Sequence, residues 1–231
     1  MERPDSAVSD VSKPAISVLV PTHNHGPYLA RCLRSLLNQL EPRRDYEIIV
    51  VDDASTDNTP SVIEAFSTVV IHVKNPRNIG LPGSLNKAIE LAKGEFLVRV
   101  DSDDFVNHYF LTCLRAYLEL NEQADAVACD YVLVDEEENV LSREDASVSP
   151  IGCGIMFRAS KVREIGGYNE SFRAHEDKEF RQRFDELFYL EHLRVPLYRY
   201  RRHERNLTND SNLMQEYGRL LDSTSRRAKF S

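Results

Sequence analysis

Segments with the pattern of buried strands alternate with segments that have the pattern of amphipathic helices in the first half of the chain. The run AISVLVPTHN, residues 15–24, is rich in β-branched residues and is typical of a strand buried on both faces. After it, apolar side chains recur at helical spacing from Leu29 to Leu40, and Pro27 suits a first helical turn. Strands and helices that alternate over short links form crossover units. The sequence therefore predicts an α/β fold with a mostly parallel central sheet flanked by helices.

The same alternation continues further along the chain. Strands are also predicted at 46–51, 68–73, 95–100 and 124–135, and helices at 59–66, 82–94 and 108–120. The segment EEENV, residues 136–140, is a predicted hairpin turn. There is no internal repeat and no low-complexity linker, which favours one domain over residues 14–206. Residues 1–13 are a predicted flexible tail, and residues 207–231 a partly helical extension that acts as a lid, a dimer arm or a tail.

Composition restricts the location and the partners of the protein. No apolar run approaches the roughly 20 residues of a membrane span, and no signal-peptide pattern opens the chain, so a cytoplasmic location is predicted. Peripheral attachment to the inner face of a membrane stays open, although the terminal RRAK is too small to anchor the chain alone. The net charge of −8 argues against nucleic acid as a partner. The 4 scattered cysteines, without a C-x-x-C motif, predict reduced thiols.

Polar and acidic residues follow three of the predicted strands. PTHN ends the first strand, Asp52 and Asp53 end the second, and the turn DSDD, residues 101–104, ends the strand at 95–100. In an open parallel sheet, ligands bind at the carboxyl ends of the strands, so these residues are predicted to share a site. For Asp52 and Asp53, capping of the following helix is the alternative.

The DSDD turn points to a divalent cation. Asp101, Asp103 and Asp104 repel one another and raise each other's pKa unless a cation or hydrogen-bond donors neutralise them. Carboxylate oxygens suit Mg²⁺ or Mn²⁺, which complete their ligand shells with substrate phosphates. The turn is therefore predicted to hold an ion that in turn holds a diphosphate. The basic stretch 194–205 could meet a small anion or could be a solvated edge strand.

Several enzyme classes lack their motifs. The chain has no G-x-x-x-x-G-K-[ST] phosphate loop, no G-x-G-x-x-G after the first strand and no G-x-S-x-G elbow. A nucleotidyltransferase would need a Gly-rich basic loop after the first strand, which PTHNHG does not supply. An aspartyl phosphatase would need its D-x-D near the first strand rather than after the fourth or fifth. A non-catalytic binding or scaffold protein remains an alternative, because fold does not fix function.

A resemblance to a known family rests on six segments in order: SVLVPTHN, EIIVVDDASTDNT, NIGLPGSLNKAIELAKGEFLVRVDSDD, GIMFRASKVREIGGYNESF, HEDKEFRQR and YRRHERN. Together they resemble a family 2 glycosyltransferase with the GT-A nucleotide-sugar-binding fold, from about Ile16 to about Asn206. The resemblance implies an inverting transfer of a sugar from a nucleotide-sugar, preferably UDP-linked, with Mn²⁺ or Mg²⁺ as cofactor. The implied acceptor is a hydroxyl of a saccharide, a lipid-linked molecule or a protein, in polysaccharide, lipopolysaccharide or glycolipid synthesis.

The resemblance also implies roles for individual residues. The nucleotide-sugar would be bound by Pro21, Thr22, Asn24, Asp52, Asp53, Asn78, Gly80, Asn86, Asp101, Arg201 and Arg202. The metal would be bound by Asp103, Asp101 and His203, with Asp104 able to share that work.

The HED element, residues 175–177, resembles the segment that carries the catalytic base in members of this family. Asp177 would be the base that takes the proton from the acceptor hydroxyl, and Glu176 is the second candidate. Glu176 could instead simply begin a helix, and Arg183 could form only a salt bridge.

Overall fold

The computed structural model describes residues 13–204 and 206–228. Its first half contains β1 (Ile16–Thr22), α1 (Gly26–Leu37), β2 (Tyr46–Asp52), α2 (Thr59–Glu64), β3 (Ile71–Lys74), α3 (Gly80–Leu91), β4 (Phe96–Arg99), β5 (Phe105–Val106) and α4 (Phe110–Leu120). Its second half contains β6 (Ala126–Val134), β7 (Val140–Glu144), β8 (Ile155–Arg158), α5 (Ala159–Glu164), α6 (Glu176–Asp185), β9 (Leu190–Arg201) and α7 (Ser211–Ala228).

The first four strands of the path β3-β2-β1-β4 are parallel, as predicted. In register, Val18 of β1 lies opposite Ile48 of β2 and Val98 of β4. All residues of β1 and β2 are buried, because the sheet is covered on both faces. The carboxyl ends of β1, β2 and β4 consequently meet at one edge, and the PTHN, Asp52–Asp53 and DSDD segments meet there too.

The rest of the sheet is mixed, so the prediction of a mostly parallel sheet describes its first half better than its second. The path continues β4-β8-β6-β9-β5, in which β8 is antiparallel to both β4 and β6, and β9 is parallel to β6. The predicted turn at 136–140 joins β6 to β7 as an antiparallel hairpin, with Glu138 in a left-handed conformation at φ 68°. So short a link can join only antiparallel strands.

Helix α1 covers the parallel half of the sheet with its predicted apolar face. Leu29, Cys32, Leu33 and Leu36 are fully buried. The helix ends at Leu37, however, and Leu40 is 58% exposed, so the apolar pattern ran one turn past the helix. Burial of such a stripe supplies most of the stability of a short helix.

The ends of the chain are described in part. The predicted tail at 1–13 falls almost entirely outside the described residues. Helix α7 occupies most of the predicted extension, and its early residues Leu213 and Met214 lie at a cavity described below. Within the described residues, none of the helices combines the length and the apolar character that crossing a bilayer requires.

Candidate functional site

A cavity of about 640 Å³ opens at the sheet edge where β1, β2 and β4 end. Its volume lies within the range of sites that bind small molecules and cofactors. Eight predicted site residues line it: Pro21, Thr22, Asp53, Asn78, Gly80, Asp101, Asp103 and Asp177. The other predicted site residues, Asn24, Asp52, Asn86, Arg201, Arg202 and His203, are not part of its lining.

Thr22 and Asp53 form a polar end of the cavity beside the start of α3. The Asp53 carboxylate accepts hydrogen bonds from the backbone N–H groups of Ile79 at 2.9 Å and Gly80 at 2.8 Å, and from the Asn75 side chain at 2.8 Å. Asp53 therefore caps α3 rather than α2, the helix that follows it in sequence. The Thr22 hydroxyl is buried and has no hydrogen-bond partner within the described part of the chain. A ligand in the cavity can satisfy such a group.

Asn24 and Asp52 connect the loops that follow β1 and β2. Asn24 has a left-handed backbone, with φ 55°, and its side-chain oxygen accepts from the N–H groups of Thr56 at 2.8 Å and Asp57 at 3.3 Å. Asp52 is fully buried and accepts from the N–H of Ser55 at 2.9 Å. Both side chains shape the cavity through these loops, and their direct contact with a nucleotide stays a prediction.

Asn78, Gly80 and Asn86 belong to the start and middle of α3. Gly80 has φ 85°, a conformation that favours glycine, and its N–H donates to the Asn78 side chain at 3.1 Å. Asn86 exchanges two hydrogen bonds with the backbone of Tyr168, at 2.9 and 2.8 Å. It therefore fastens α3 to the loop after α5, whereas Asn78 and Gly80 line the cavity.

Asp103 pairs with His203 across the turn that follows β4. The Nε2 atom of His203 lies 2.9 Å from Asp103 Oδ2, and both residues are buried. Burial alone would raise the pKa of the Asp103 carboxyl, but the hydrogen bond from His203 and the charge of His25 hold it below its usual value. His25 is itself oriented by Ser102, whose Oγ lies 2.7 Å from its Nδ1. The site thus keeps Asp103 ionised among imidazoles.

Asp104 has a structural role, because its carboxylate joins two segments of the chain. Its carboxylate accepts from the Tyr198 hydroxyl and from the backbone N–H of Arg201, both at 2.7 Å, so it ties the DSDD turn to β9. Burial raises the pKa of this carboxyl well above its usual value, and the charges of Asp103 and Asp101 raise it further. Asp104 is therefore the poorest metal ligand of the three aspartates.

Asp101 is bound by Arg99, a residue that the sequence analysis did not single out. Arg99 Nε and one Nη donate to the two oxygens of Asp101 at 2.6 and 3.0 Å, and the other Nη donates to Glu176 at 3.1 Å. Burial would lower the pKa of the Arg99 guanidinium, but the charges of Asp101 and Glu176 raise it well above its usual value. Arg99 therefore links the DSDD turn to the start of α6.

The side chains near the turn differ in their fit to a divalent ion. Asp101, Asp104 and Cys153 place potential ligand atoms within 4.8 Å of one another. Asp101 is paired with Arg99, Asp104 accepts two hydrogen bonds, and burial raises the pKa of the Cys153 thiol, so this trio does not suit a metal. Asp103 and His203 offer a carboxylate and an imidazole, a set that fits Mn²⁺ better than Mg²⁺, and an ion bound there would replace the hydrogen bond between them.

Arg201 and Arg202 lie outside the cavity. The buried Arg201 guanidinium donates to the carbonyls of Asp103 at 2.9 Å and Glu136 at 2.8 Å, and to the Glu138 carboxylate at 3.0 Å. Arg202 is exposed, with its guanidinium over the Tyr200 ring at 5.6 Å. Arg201 joins β9 to the hairpin and to the DSDD turn, and the predicted contact of either arginine with a diphosphate stays a prediction.

Glu176 and Asp177 open α6 but have different environments. Glu176 is buried and paired with Arg99, and burial raises the pKa of its carboxyl. Asp177 is half-buried and lines the cavity, and its carboxylate forms no hydrogen bond or ion pair with the other described residues. A Cβ atom added at Gly152 would lie 2.6 Å from Asp177 Cβ and 3.2 Å from an Arg99 nitrogen, so a side chain there would displace both. The salt-bridge interpretation of Arg183 is confirmed by its pairing with Glu179 at 2.8 Å.

Arg99→Met is expected to lower the free energy of unfolding by about 3–5 kcal/mol, because it leaves the buried carboxylate of Glu176 and the half-buried one of Asp101 without their cation. The pKa of Glu176, already raised by burial, would rise further. A carboxyl with a raised pKa binds protons more readily in the folded state than in the unfolded state, so the deficit should shrink as the pH falls from about 7 to about 5. Urea denaturation at both pH values measures this.

The matched control for this substitution is Arg181→Met on α6. Arg181 pairs with Asp185, which is 48% exposed, so its loss should cost less than about 1 kcal/mol. Equal costs for the two substitutions, or a deficit in the Arg99 variant that grows at low pH, would contradict the role given to Arg99.

A signal for Arg99 was present in the sequence. It is a charged residue inside the segment EFLVRV, whose apolar residues are typical of a strand buried on both faces. A charge at such a position requires a partner, which pointed to the carboxylates two residues later. The link to Glu176 had no comparable signal, because the two residues are 77 positions apart.

Comparison with known proteins gives a family match over most of the chain. The family model described as Glycosyl transferase family 2 matches residues 17–202. A poly(ribitol-phosphate) beta-glucosyltransferase of Bacillus spizizenii is 41% identical over 95 residues, which are 39% of this chain and 15% of that protein. The putative glycosyltransferase EpsH of Bacillus subtilis is 36% identical over 129 residues, which are 54% of this chain and 36% of that protein.

Solved structures share the fold. S. aureus TarS residues 1–349 in complex with UDP-GlcNAc has a TM-score of 0.75 at 23% identity, covering 85% of this chain and 61% of that one. The mannosyltransferase PcManGT of Pyrobaculum calidifontis, in complex with GDP-Man and Mn²⁺, has a TM-score of 0.66 at 21% identity, covering 84% and 59%. The chain thus spans less than two thirds of the length of these proteins. The family match and the fold agree that the chain belongs to glycosyl transferase family 2 and has the GT-A fold.

Proposed function

We propose that the chain is an inverting, metal-dependent glycosyltransferase that moves a sugar from a UDP-sugar to an acceptor hydroxyl. One observation carries the proposal. The cavity that contains Thr22, Asp53 and the DSDD turn also contains Asp177, a carboxylate without a partner among the described residues. A donor site and a candidate base therefore share one space, as direct transfer to an acceptor requires.

The donor would lie along the edge formed by β1, β2 and β4. Pro21, Thr22, Asp53, Asn78 and Gly80 line this side, and the Thr22 hydroxyl lacks a hydrogen-bond partner in the described structure. The preference for UDP is supported by the TarS structures, which are complexes with UDP and with UDP-GlcNAc. The GDP-Man complex of PcManGT shows that the same fold also accepts a guanine nucleotide.

A divalent ion would be held by Asp103 and His203. Their carboxylate and imidazole suit Mn²⁺, and the Mn²⁺ in the PcManGT complex supports that choice over Mg²⁺. When bound, the ion would stabilise the charge of the departing nucleoside diphosphate. Asp101 would act as a ribose or phosphate neighbour whose orientation Arg99 fixes, rather than as the main metal ligand.

Asp177 is proposed as the base, in preference to Glu176. A base must reach the acceptor hydroxyl and accept its proton, which requires an accessible carboxylate. Glu176 is buried and held by Arg99, so it would keep Arg99 and the first turn of α6 in place. Attack from the face opposite the leaving diphosphate, aided by one base, inverts the anomeric configuration.

The acceptor is proposed to be a hydroxyl of a saccharide or lipid-linked chain made in polysaccharide, lipopolysaccharide or glycolipid synthesis. Two similar proteins bear the names of poly(ribitol-phosphate) glycosyltransferases, which is consistent with a polymeric acceptor. The scaffold alternative is less well supported, because a scaffold has no need for an unpaired carboxylate opposite a donor pocket.

The test is a measurement of nucleoside diphosphate release from a panel of UDP-sugars and GDP-sugars with Mn²⁺ and mixed saccharide acceptors. We expect one UDP-sugar to be turned over, and NMR of the product to show an anomeric configuration opposite to that of the donor. Retention of configuration would reject the single-base mechanism. Turnover of none of the UDP-sugars, alongside turnover of a GDP-sugar, would reject the nucleotide assignment.

A further inference from the structure

The cavity contains cations that the donor site and the proposed base do not use. Among the described residues, three Lys or Arg side chains line it: Arg99, Arg173 and Lys178. Arg99 is fully engaged with Asp101 and Glu176. Within the described part of the chain, the side chains of Arg173 and Lys178 form no hydrogen bond and no ion pair, and both residues are exposed.

The other cations of α6 form ion pairs, which makes the unpaired side chain of Lys178 unusual. Arg181 binds Asp185 at 3.0 Å, and Arg183 binds Glu179 at 2.8 Å. Lys178 lies on the same helix and has no such partner among the described residues. Its neighbour Asp177 cannot serve, because consecutive residues of a helix do not face each other.

None of the carboxylates that line the cavity forms an ion pair with Arg173 or Lys178 in the described structure. The arginine ion pairs that are present involve another cation, Arg99, which binds Asp101 and Glu176. On a chain with a net charge of −8, two unpaired cations at one cavity are therefore available for an anion from outside.

Their place in the fold assigns that anion to the acceptor. Arg173 precedes α6 and Lys178 lies in its first turn, so they flank Asp177 in sequence. The proposed metal residues Asp103 and His203 lie on other segments, after β4 and after β9. A group bound by Arg173 and Lys178 would thus lie on the side of the base, where the attacking hydroxyl must be.

We propose that Arg173 and Lys178 bind a phosphate group of the acceptor, which is a phosphate-bearing polyol or saccharide chain rather than a neutral one. This inference rests on the proposed function, because it places the phosphate next to the hydroxyl that Asp177 deprotonates. Arginine and lysine bind phosphate oxygens through charge-assisted hydrogen bonds, and a contact of this kind fixes the position of the acceptor.

The experiment measures binding of two probes to the chain saturated with UDP and Mn²⁺. The probes are a glycerol phosphate trimer joined by phosphodiesters and the neutral trisaccharide maltotriose, titrated by calorimetry. The variant Arg173→Ala/Lys178→Ala removes both cations. The control Arg34→Ala/Lys93→Ala removes one arginine and one lysine that are exposed and outside the cavity lining, with the same change in net charge.

We expect the wild-type chain and the control to bind the trimer more tightly than maltotriose. The cavity variant should bind the trimer at least about tenfold more weakly, with an unchanged Kd for UDP. Wild-type affinity of the cavity variant for the trimer would overturn the inference, as would equal affinity of the wild-type chain for both probes. Loss of UDP binding in the cavity variant would assign the cations to the donor diphosphate and also overturn it.

A second measurement distinguishes a phosphate-bearing acceptor from a lipid headgroup in a membrane. If the two cations served a lipid surface, the cavity variant would lose binding to phosphatidylglycerol vesicles and keep its binding to the trimer, which would contradict the inference. Failure of the wild-type chain to bind UDP at all would count against the proposed function itself, and is recorded before the trimer is added.

Discussion

Asp177→Asn is expected to lower kcat by about 10²–10⁴-fold, the usual contribution of a general base, while the Kd for UDP stays unchanged. The amide keeps the size of the carboxylate but cannot accept the acceptor proton. Asp177 has no structural partner among the described residues, so the substitution should not disturb the fold. Turnover of the best UDP-sugar and calorimetric titration of UDP, on the same preparation, separate the two effects.

The control for this prediction lies at the other end of the same helix. Asp185→Asn weakens only an exposed pair with Arg181 and should leave both kcat and UDP binding as in the wild-type chain. An Asp177→Asn variant with wild-type turnover would show that the base is another group. Glu176 would then be the next residue to test, in spite of its burial.

Asp103→Ala is expected to weaken Mn²⁺-dependent binding of UDP by at least about 100-fold. Changes to residues that merely support a metal ligand cost 10–100-fold in affinity, and the removal of a ligand should cost more. The substitution also leaves the buried His203 without its carboxylate partner at 2.9 Å. Titration of UDP with and without Mn²⁺ measures the effect.

Asp104→Asn serves as the contrast for the metal assignment. Because Asp104 accepts from Tyr198 and from the Arg201 backbone, the amide should reduce stability more than Mn²⁺-dependent binding. If Asp104→Asn abolished Mn²⁺-dependent UDP binding in a folded chain while Asp103→Ala did not, the metal site would have to be moved to Asp101, Asp104 and Cys153.

The parallel half of the fold could be predicted because its signals are local. The β-branched run before Pro21 and the helical spacing from Leu29 to Leu36 each reflect burial against the same sheet. The mixed half gave weaker signals, since a pattern of apolar residues does not state which neighbour a strand pairs with. Strand β8, which lies between β4 and β6, was not predicted at all.

The placement of the candidate site residues was predictable where it depends on position in the sequence, and less so where it depends on the direction of the side chain. Asp53, the DSDD turn and Asp177 meet at one cavity as expected, because three strand ends and α6 deliver them there. Arg201 could not be placed from its motif, since its guanidinium turns toward Glu138 and two backbone carbonyls. The direction of this guanidinium depends on its contacts with the hairpin at 136–140, which lies far from Arg201 in the sequence.

Arg99 shows how the fold connects the proposed donor side of the cavity to the proposed base. It pairs with Asp101 at the end of β4 and with Glu176 at the start of α6. A displacement of either element would therefore change the position of Arg99 and of its other partner. Gly152 packs against Arg99 and Asp177 with no room for a side chain. The proposed catalytic geometry is thus supported by residues that need not touch a substrate.

The most direct test of the central claim is a calorimetric titration of UDP into the wild-type chain, with and without Mn²⁺, beside GDP, dTDP and CDP. If the cavity is a nucleotide-sugar donor site, UDP will bind at one site per chain, more tightly than the other nucleotides and only weakly without the metal. If none of the four nucleotides binds in either condition, the cavity is not a donor site and the proposed transfer reaction is wrong.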